Sequence, residues 1–169
     1  TVVDPTDTDG DGMLDSYETA NGLNVGIDDS LDDLDMDDSN NLEEFLRDTR
    51  ANVFDTDGDG IRDGWEDGGG TFVGEMETGT DPLNFDTDGD GLRDGYEDGS
   101  GSLTSATETG TDPNVADTDA DNESDGVEVR EGTDPNSSAD SSAARGLVIL
   151  DGKRDALYPD AVAVQTVET

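Results

Sequence analysis

Five times in 169 residues the chain repeats a twelve-residue acidic pattern, Asp-x-Asp-x-Asp-Gly-x-x-Asp-x-x-Glu. A short unit that recurs this often points to an array of small elements rather than to one globular core. The copies at 7–18, 55–66 and 86–97 are nearly identical. Two are degraded: 33–44 carries Asp38 in the glycine place and Asn41 in place of the fourth aspartate, and 117–128 carries Asn122 in the glycine place. The first aspartates, Asp7, Asp33, Asp55, Asp86 and Asp117, are spaced by 26, 22, 31 and 31 residues. Gly-Thr-Asp-Pro recurs at 79–82, 110–113 and 132–135, and Gly-rich inserts at 68–78 and 99–109 account for the longer spacings.

Composition says what cannot hold such an array together. There are 46 acidic and 8 basic residues, a formal charge of −38. Leu, Ile, Val and Phe number 31, about 18% of the chain. That combination is ordinarily a signature of disorder, and self-repulsion opposes compaction. A folded state therefore needs a cationic component from outside the chain. The same charge excludes nucleic acid and disfavours anionic membranes. Without His or Cys there is no imidazole acid–base chemistry, thiolate zinc site or disulfide. No stretch is apolar enough for a transmembrane helix. No signal peptide opens the chain, which begins Thr1-Val2-Val3-Asp4 as a processed protein or an excised fragment would.

Alternate carboxylates at positions 1, 3 and 5, a carbonyl at 7, a group at 9 and a closing Glu at 12 describe an oxygen shell for a hard cation. Six or more oxygens favour Ca²⁺ over Mg²⁺, and glycine at 6 allows the sharp turn. The first loop supplies Asp7, Asp9, Asp11, the Met13 carbonyl, Asp15 and Glu18. The second supplies Asp33, Asp35, Asp37, Ser39 and Glu44. The third offers Asp55, Asp57, Asp59, Ile61, Asp63 and Glu66, and the fourth Asp86, Asp88, Asp90, Leu92, Asp94 and Glu97. The fifth offers Asp117, Asp119, Asp121, Glu123, Asp125 and Glu128. About five or more Ca²⁺ per chain are expected, since 22 acids lie outside the carboxylate positions 1, 3, 5, 9 and 12 of the loops.

These loops are not EF-hands: Gly79-Thr-Asp-Pro82 before Asp86 forbids an entering helix, and position 8 holds Asn40, Arg62, Arg93 and Ser124 in four copies. The pattern predicts loops with a short exiting helix. The best runs over 41–51, with Leu42, Phe45 and Leu46 on one face; the others end at Gly22, Gly68, Gly99 and Gly132. Tyr17, Trp65 and Tyr96, each just before the closing Glu, are expected to pack successive repeats together. Asp81, Asp112 and Asp134 either shape plain turns or lend an oxygen to a neighbouring ion.

The run Asp-Thr-Asp-Gly-Asp-Gly-x-x-Asp-Gly-x-Glu, joined by Gly-Thr-Asp-Pro linkers, resembles the bacterial thrombospondin type 3 repeat from residue 4 to about 140. The resemblance implies extracellular repeats wound around a line of Ca²⁺ ions. Asp38, Asn41, Ala120 and Asn122 depart from the family pattern and put the affinity of loops two and five in question. The expected fold class is an irregular calcium-stapled repeat array, with short helices and little hydrophobic core, over 1–140. Residues 141–169 form an acid-poor segment with short β-strands at 146–150 and 161–167, an element for capping or assembly.

The function expected is structural: a rigid extracellular spacer or adhesive element, without enzyme activity, whose C-terminal strands join copies head to tail into a filament. Its partners would be copies of itself or a secreted or cell-surface protein. The alternative is a dockerin-like module, against which the unequal spacings argue. Glycoside cleavage by paired carboxylates is set aside, because the pairs at hand lie in metal loops and no aromatic cleft accompanies them.

Overall fold

The computed structural model describes residues 6–141. The strands expected at 146–150 and 161–167 lie outside the described residues. Among the described residues three short helices and two single 3₁₀ turns carry the helical structure: α1 (Asp15–Asn21), α2 (Asn41–Arg47), turns Asp63–Trp65 and Asp94–Tyr96, and α3 (Asp125–Glu131). Each begins at position 9 of a loop, and none enters one, as the sequence predicts.

The ends of these elements have local causes. Asn40 caps α2: its side chain accepts from the Glu43 N–H while Glu43 reaches back to the Asn40 N–H. Gly22 and Gly132 close α1 and α3 in the left-handed conformation. The expected helix over 41–51 stops earlier, because Asp48 takes φ 63°. Leu46 does not share a buried face with Leu42 and Phe45; it is 71% exposed, since the buried side of α2 belongs to Asn41 and Glu44. After loops three and four the exit shrinks to one 3₁₀ turn. There the chain leaves at once into the Gly-rich insert.

Each insert is a narrow finger. Gly68 and Gly70 N–H groups donate to the Thr80 and Gly79 carbonyls, and Val73 donates to Glu77. The second finger repeats this register through Gly99–Thr111, Gly101–Gly110 and Thr104–Glu108. The ring of Phe72 from the first finger lies where a Cβ on Gly99 would sit.

The interior is inverted relative to an ordinary domain. Among the described residues only Met13, Ala51 and Leu92 are buried apolar side chains, while eleven carboxylates are buried. Hydrophobic burial cannot account for the fold on that basis.

Successive repeats are joined by backbone contact. The N–H of Gly64 donates to Asp37 Oδ2 at 3.0 Å, and Gly95 donates to Asp59 Oδ2 at 3.2 Å. Gly126 donates to Asp90 Oδ2 at 2.5 Å. Position 10 of one loop thus sits on position 5 of the loop before. A Cβ on Gly95 would lie 2.5 Å from the Asp59 carbonyl oxygen. Gly95→Ala should therefore cost about 2 kcal/mol or more in the ion-loaded chain, since backbone rather than a flexible side chain must yield. Urea unfolding in saturating Ca²⁺ checks this; an unchanged midpoint would show that the junction is looser than its geometry.

The arginines at position 8 of loops three and four also bind the preceding loop. Arg62 pairs with Asp38 at 2.7 Å and lies 4.1 Å from the Trp65 ring centroid. Arg93 donates to the Gly58 carbonyl at 2.6 Å. Tyr17 meets the second repeat, edge-on to Phe45 at 5.0 Å and donating to the Thr49 carbonyl. Trp65 donates from Nε1 to Asp38 Oδ2, so its link to loop two is a polar one.

Candidate metal centres

All five loops share one backbone scaffold. The position-1 carboxylate accepts from the position-6 N–H: Gly12 to Asp7, Asp38 to Asp33, Gly60 to Asp55, Gly91 to Asp86 and Asn122 to Asp117. The position-5 carboxylate accepts from the position-7 N–H: Met13 to Asp11, Ser39 to Asp37, Ile61 to Asp59, Leu92 to Asp90 and Glu123 to Asp121. The degraded second and fifth loops keep this pattern. Asp38 and Asn122 take φ of 79° and 77° in the glycine place, a conformation these residue types tolerate. Position 4 is left-handed too, and there Met36 (67°) and Ala120 (62°) replace glycine at a steric cost. That second demand was visible in Gly10, Gly58 and Gly89, but the search for a single turn glycine passes over it.

These bonds gather oxygens that nothing in the chain satisfies. Asp7, Asp9 and Asp11 each bring a carboxylate oxygen within 4.8 Å of the others, as do Asp33, Asp35 and Asp37, and Asp55, Asp57 and Asp59. Buried oxygens without a hydrogen-bond partner occur on Asp9, Asp35, Asp57, Asp88 and Asp119 at position 3. Glu18, Glu44 and Glu128 at position 12 are fully buried with both carboxylate oxygens unpartnered. Glu66 and Glu97 each leave Oε2 unpartnered.

Burial out of water, reinforced by neighbouring aspartates, raises these groups strongly. Glu18 is pushed up to about 7, Glu44 and Glu128 to about 8, and Glu66 and Glu97 to about 9. Asp57 rises to about 6, and Asp59 and Asp88 to about 7, for the same leading reason. Buried like charges at such distances need a counter-ion or protons. With only oxygen donors on offer, a hard divalent cation fits the set and a soft metal does not.

Position 9 has another geometry than a simple ligand to its own loop. Both oxygens of Asp15 accept from Thr8, one from the N–H at 2.8 Å and one from the hydroxyl at 2.7 Å. Asp63, Asp94 and Asp125 are held in the same way by Thr56, Thr87 and Thr118. The degraded second loop has Leu34 and Asn41 at these two positions, so both members of the pair are missing together.

Asp63 moreover gathers with Asp37 and Glu44 of the preceding loop, all three buried, their oxygens within 4.8 Å. At the first junction the group is Asp11, Glu18 and Asp29. Asp29 stands in for the carboxylate that Asn41 lacks, and the Asn41 amide donates to the Asp29 carbonyl at 2.8 Å. Sequence reasoning missed Asp29, which lies outside the twelve-residue pattern; its only signal was the gap left by Asn41.

The Gly-Thr-Asp-Pro aspartates close turns. Asp81, Asp112 and Asp134 each accept from the N–H two residues on, at Leu83, Asn114 and Asn136. The threonines of the first two motifs reach the metal loops: Thr80 donates to Glu66 Oε1 at 3.0 Å, and Thr111 to Glu97 Oε1 at 2.9 Å.

Among the described residues no helix is long and apolar enough to cross a membrane. Four segments match the family model of the bacterial TSP3 repeat: 7–22, 55–71, 86–102 and 124–138. The first three begin on loops one, three and four; the fourth starts at Ser124 and takes in the end of loop five with its Gly-Thr-Asp-Pro, and loop two lies outside all four. No curated protein and no solved structure gave a match to this chain.

Proposed function

We propose that this chain, which carries bacterial TSP3 repeats, is an extracellular structural element whose five loops each close around Ca²⁺. The observation that carries this reading is the set of buried, unpartnered oxygens on the closing glutamates, Glu18, Glu44 and Glu128 above all. Described residues that bury eleven carboxylates and only three apolar side chains need divalent charge among them. The groups Asp11–Glu18–Asp29 and Asp37–Glu44–Asp63 make room for further ions between loops, beyond one per loop. Calorimetry and anomalous scattering should find three ions or more. Asp57→Ala should loosen its repeat more than Asp67→Ala, which lies outside the pattern. Fewer than three ions per chain would sink the reading.

The way the repeats join supports a mechanical role. Each junction that rests a glycine N–H on the carboxylate of the loop before shortens and fixes the link, which suits a spacer or an adhesive stalk. Extracellular Ca²⁺ concentrations suit weak all-oxygen loops. Residues 141–169 hold four acids against three bases, while Leu31, just before loop two, and Met36 within it stay 81% and 77% exposed. A head-to-tail contact between that acid-poor segment and a neighbouring copy would cover Leu31 and Met36 and need not close into a ring. Deleting 146–169 should then lower the mass seen by light scattering in Ca²⁺. A full-length chain that stays monomeric at high concentration favours a cap on the last repeat instead.

A further inference from the structure

The five closing glutamates are not equivalent. Glu18, Glu44 and Glu128 leave both oxygens unpartnered, whereas Glu66 and Glu97 leave one. The difference traces to the inserts. Where a helix runs directly into the linker, the following threonine turns its hydroxyl to the backbone: Thr49 meets the Glu44 carbonyl at 3.4 Å and Thr133 the Glu128 carbonyl at 3.2 Å. Where a finger intervenes, the threonine of the same Gly-Thr-Asp-Pro motif returns at another place. Thr80 and Thr111 then donate to the carboxylates themselves.

This latch is held from behind. Thr80 is fully buried, its hydroxyl lies 2.6 Å from that of Thr78, and Thr78 reaches the Trp65 carbonyl at 3.1 Å. Gly68 fixes the Thr80 carbonyl at 2.9 Å. Thr109 and Thr111 repeat the arrangement beside Glu97, with the hydroxyls 2.7 Å apart. Thr80 occupies one lone pair of Glu66 Oε1 and fixes the direction of the carboxylate, so Oε2 is the oxygen left wholly free for an ion.

We propose that the array holds two classes of ion site: loops three and four, with closing glutamates latched by threonine, accept Mg²⁺ almost as readily as Ca²⁺, whereas loops one, two and five select Ca²⁺. The proposal rests on the reading of these loops as ion sites. Ca²⁺ takes six to eight oxygens and gains from a Glu that binds through both. Mg²⁺ wants six at shorter range, keeps waters and takes a carboxylate through one oxygen. In Mg²⁺-rich, Ca²⁺-poor surroundings the middle repeats therefore stay folded while the two ends wait for Ca²⁺.

The chain supplies separate reporters. Trp65 is the sole tryptophan and lies in loop three. The three α-helices of the described residues leave loops one, two and five, so the helical signal in far-ultraviolet circular dichroism reports on those loops. The test titrates the ion-stripped full chain with Mg²⁺ alone and with Ca²⁺ alone. Trp65 emission should respond to Mg²⁺ at a midpoint within about tenfold of that for Ca²⁺, and the helical signal should answer to Ca²⁺ only. Thr80→Val should widen the Ca²⁺-over-Mg²⁺ ratio at Trp65 about fivefold. Thr133→Val, which alters loop five and not loop three, should leave the ratio at Trp65 unchanged. A Trp65 signal deaf to Mg²⁺, or a helical signal that follows Mg²⁺ equally, overturns the proposal even if Thr80→Val fails to fold. A folded Thr80→Val with an unchanged ratio overturns it as well. If Ca²⁺ moves neither signal, the ion-site reading itself has failed.

Discussion

Placed in a chelator at neutral pH, the array should lose its fold, and added Ca²⁺ should restore it. The expectation comes from what occupies the interior. Among the described residues eleven carboxylates but only three apolar side chains are buried, so removing the ions leaves repulsion where other domains have a core. A site filled at a hundredfold excess over its Kd adds about 2.7 kcal/mol, and five such sites add roughly 13 kcal/mol. That sum is as large as the whole stability of an ordinary domain, about 5–15 kcal/mol. The hydrogen bonds that build each loop do not substitute for it, because their acceptors are the same carboxylates whose mutual repulsion drives the loop open. Circular dichroism and limited proteolysis with and without Ca²⁺ measure the effect. Identical spectra and cleavage patterns would mean that the scaffold of N–H-to-carboxylate bonds holds the fold without ions.

Much of each loop was legible because its chemistry repeats at a fixed interval. Alternating aspartates, the turn glycine and the closing glutamate can be read from the chain, and so can the absence of an entering helix before Asp86. The exits were less legible. Nothing in Asn41–Ala51 marks Asp48 as the residue that turns left-handed, and the apolar Leu46 looks like part of a helix face until Asn41 and Glu44 claim that face. What the pattern hid most was contact between repeats. Gly64, Gly95 and Gly126 look like extra turn glycines, yet they are small because the previous loop's backbone lies against them. Loop one has Ser16 at this position, with no loop before it in the pattern, and loop two has Leu42, whose N–H donates instead to Ser30. Thr8 and Asp15 form one unit, as their joint replacement by Leu34 and Asn41 in the second loop indicates, but a ligand-counting view assigns Asp15 to the ion and Thr8 to nothing. Pairings across junctions depend on how loops stack, and periodicity within one loop carries no record of that.

The ion-free and ion-loaded arrays should respond to pH with opposite sign. In the ion-free fold, burial holds Glu66 and Glu97 at about 9, Glu44 and Glu128 at about 8 and Glu18 at about 7. An unfolded chain titrates its glutamates near 4.3. Between these values the folded state binds more protons than the unfolded one, so its stability falls as pH rises. The contribution of these groups is complete below about 4.3 and is lost by about pH 9. Stripped of ions, the chain should gain order on going from pH 8 to pH 4.5. With Ca²⁺ the same carboxylates are ionised and paired, which places their titration below the unfolded value. Stability is then present above about 4.3 and lost on acidification, and each proton displaced weakens binding about tenfold per pH unit below that range. Parallel pH titrations by circular dichroism, one on the ion-stripped chain and one in fixed Ca²⁺, test the crossing. Two curves with the same slope, or an ion-stripped chain more ordered at pH 9 than at pH 4.5, would show that the buried glutamates are not where the ions act. The crossing also separates ion-held repeats from a merely acidic segment. Neutralising a solvated acidic tail relieves its repulsion at low pH with or without Ca²⁺, and only closed carboxylate shells reverse the sign when the ion is present.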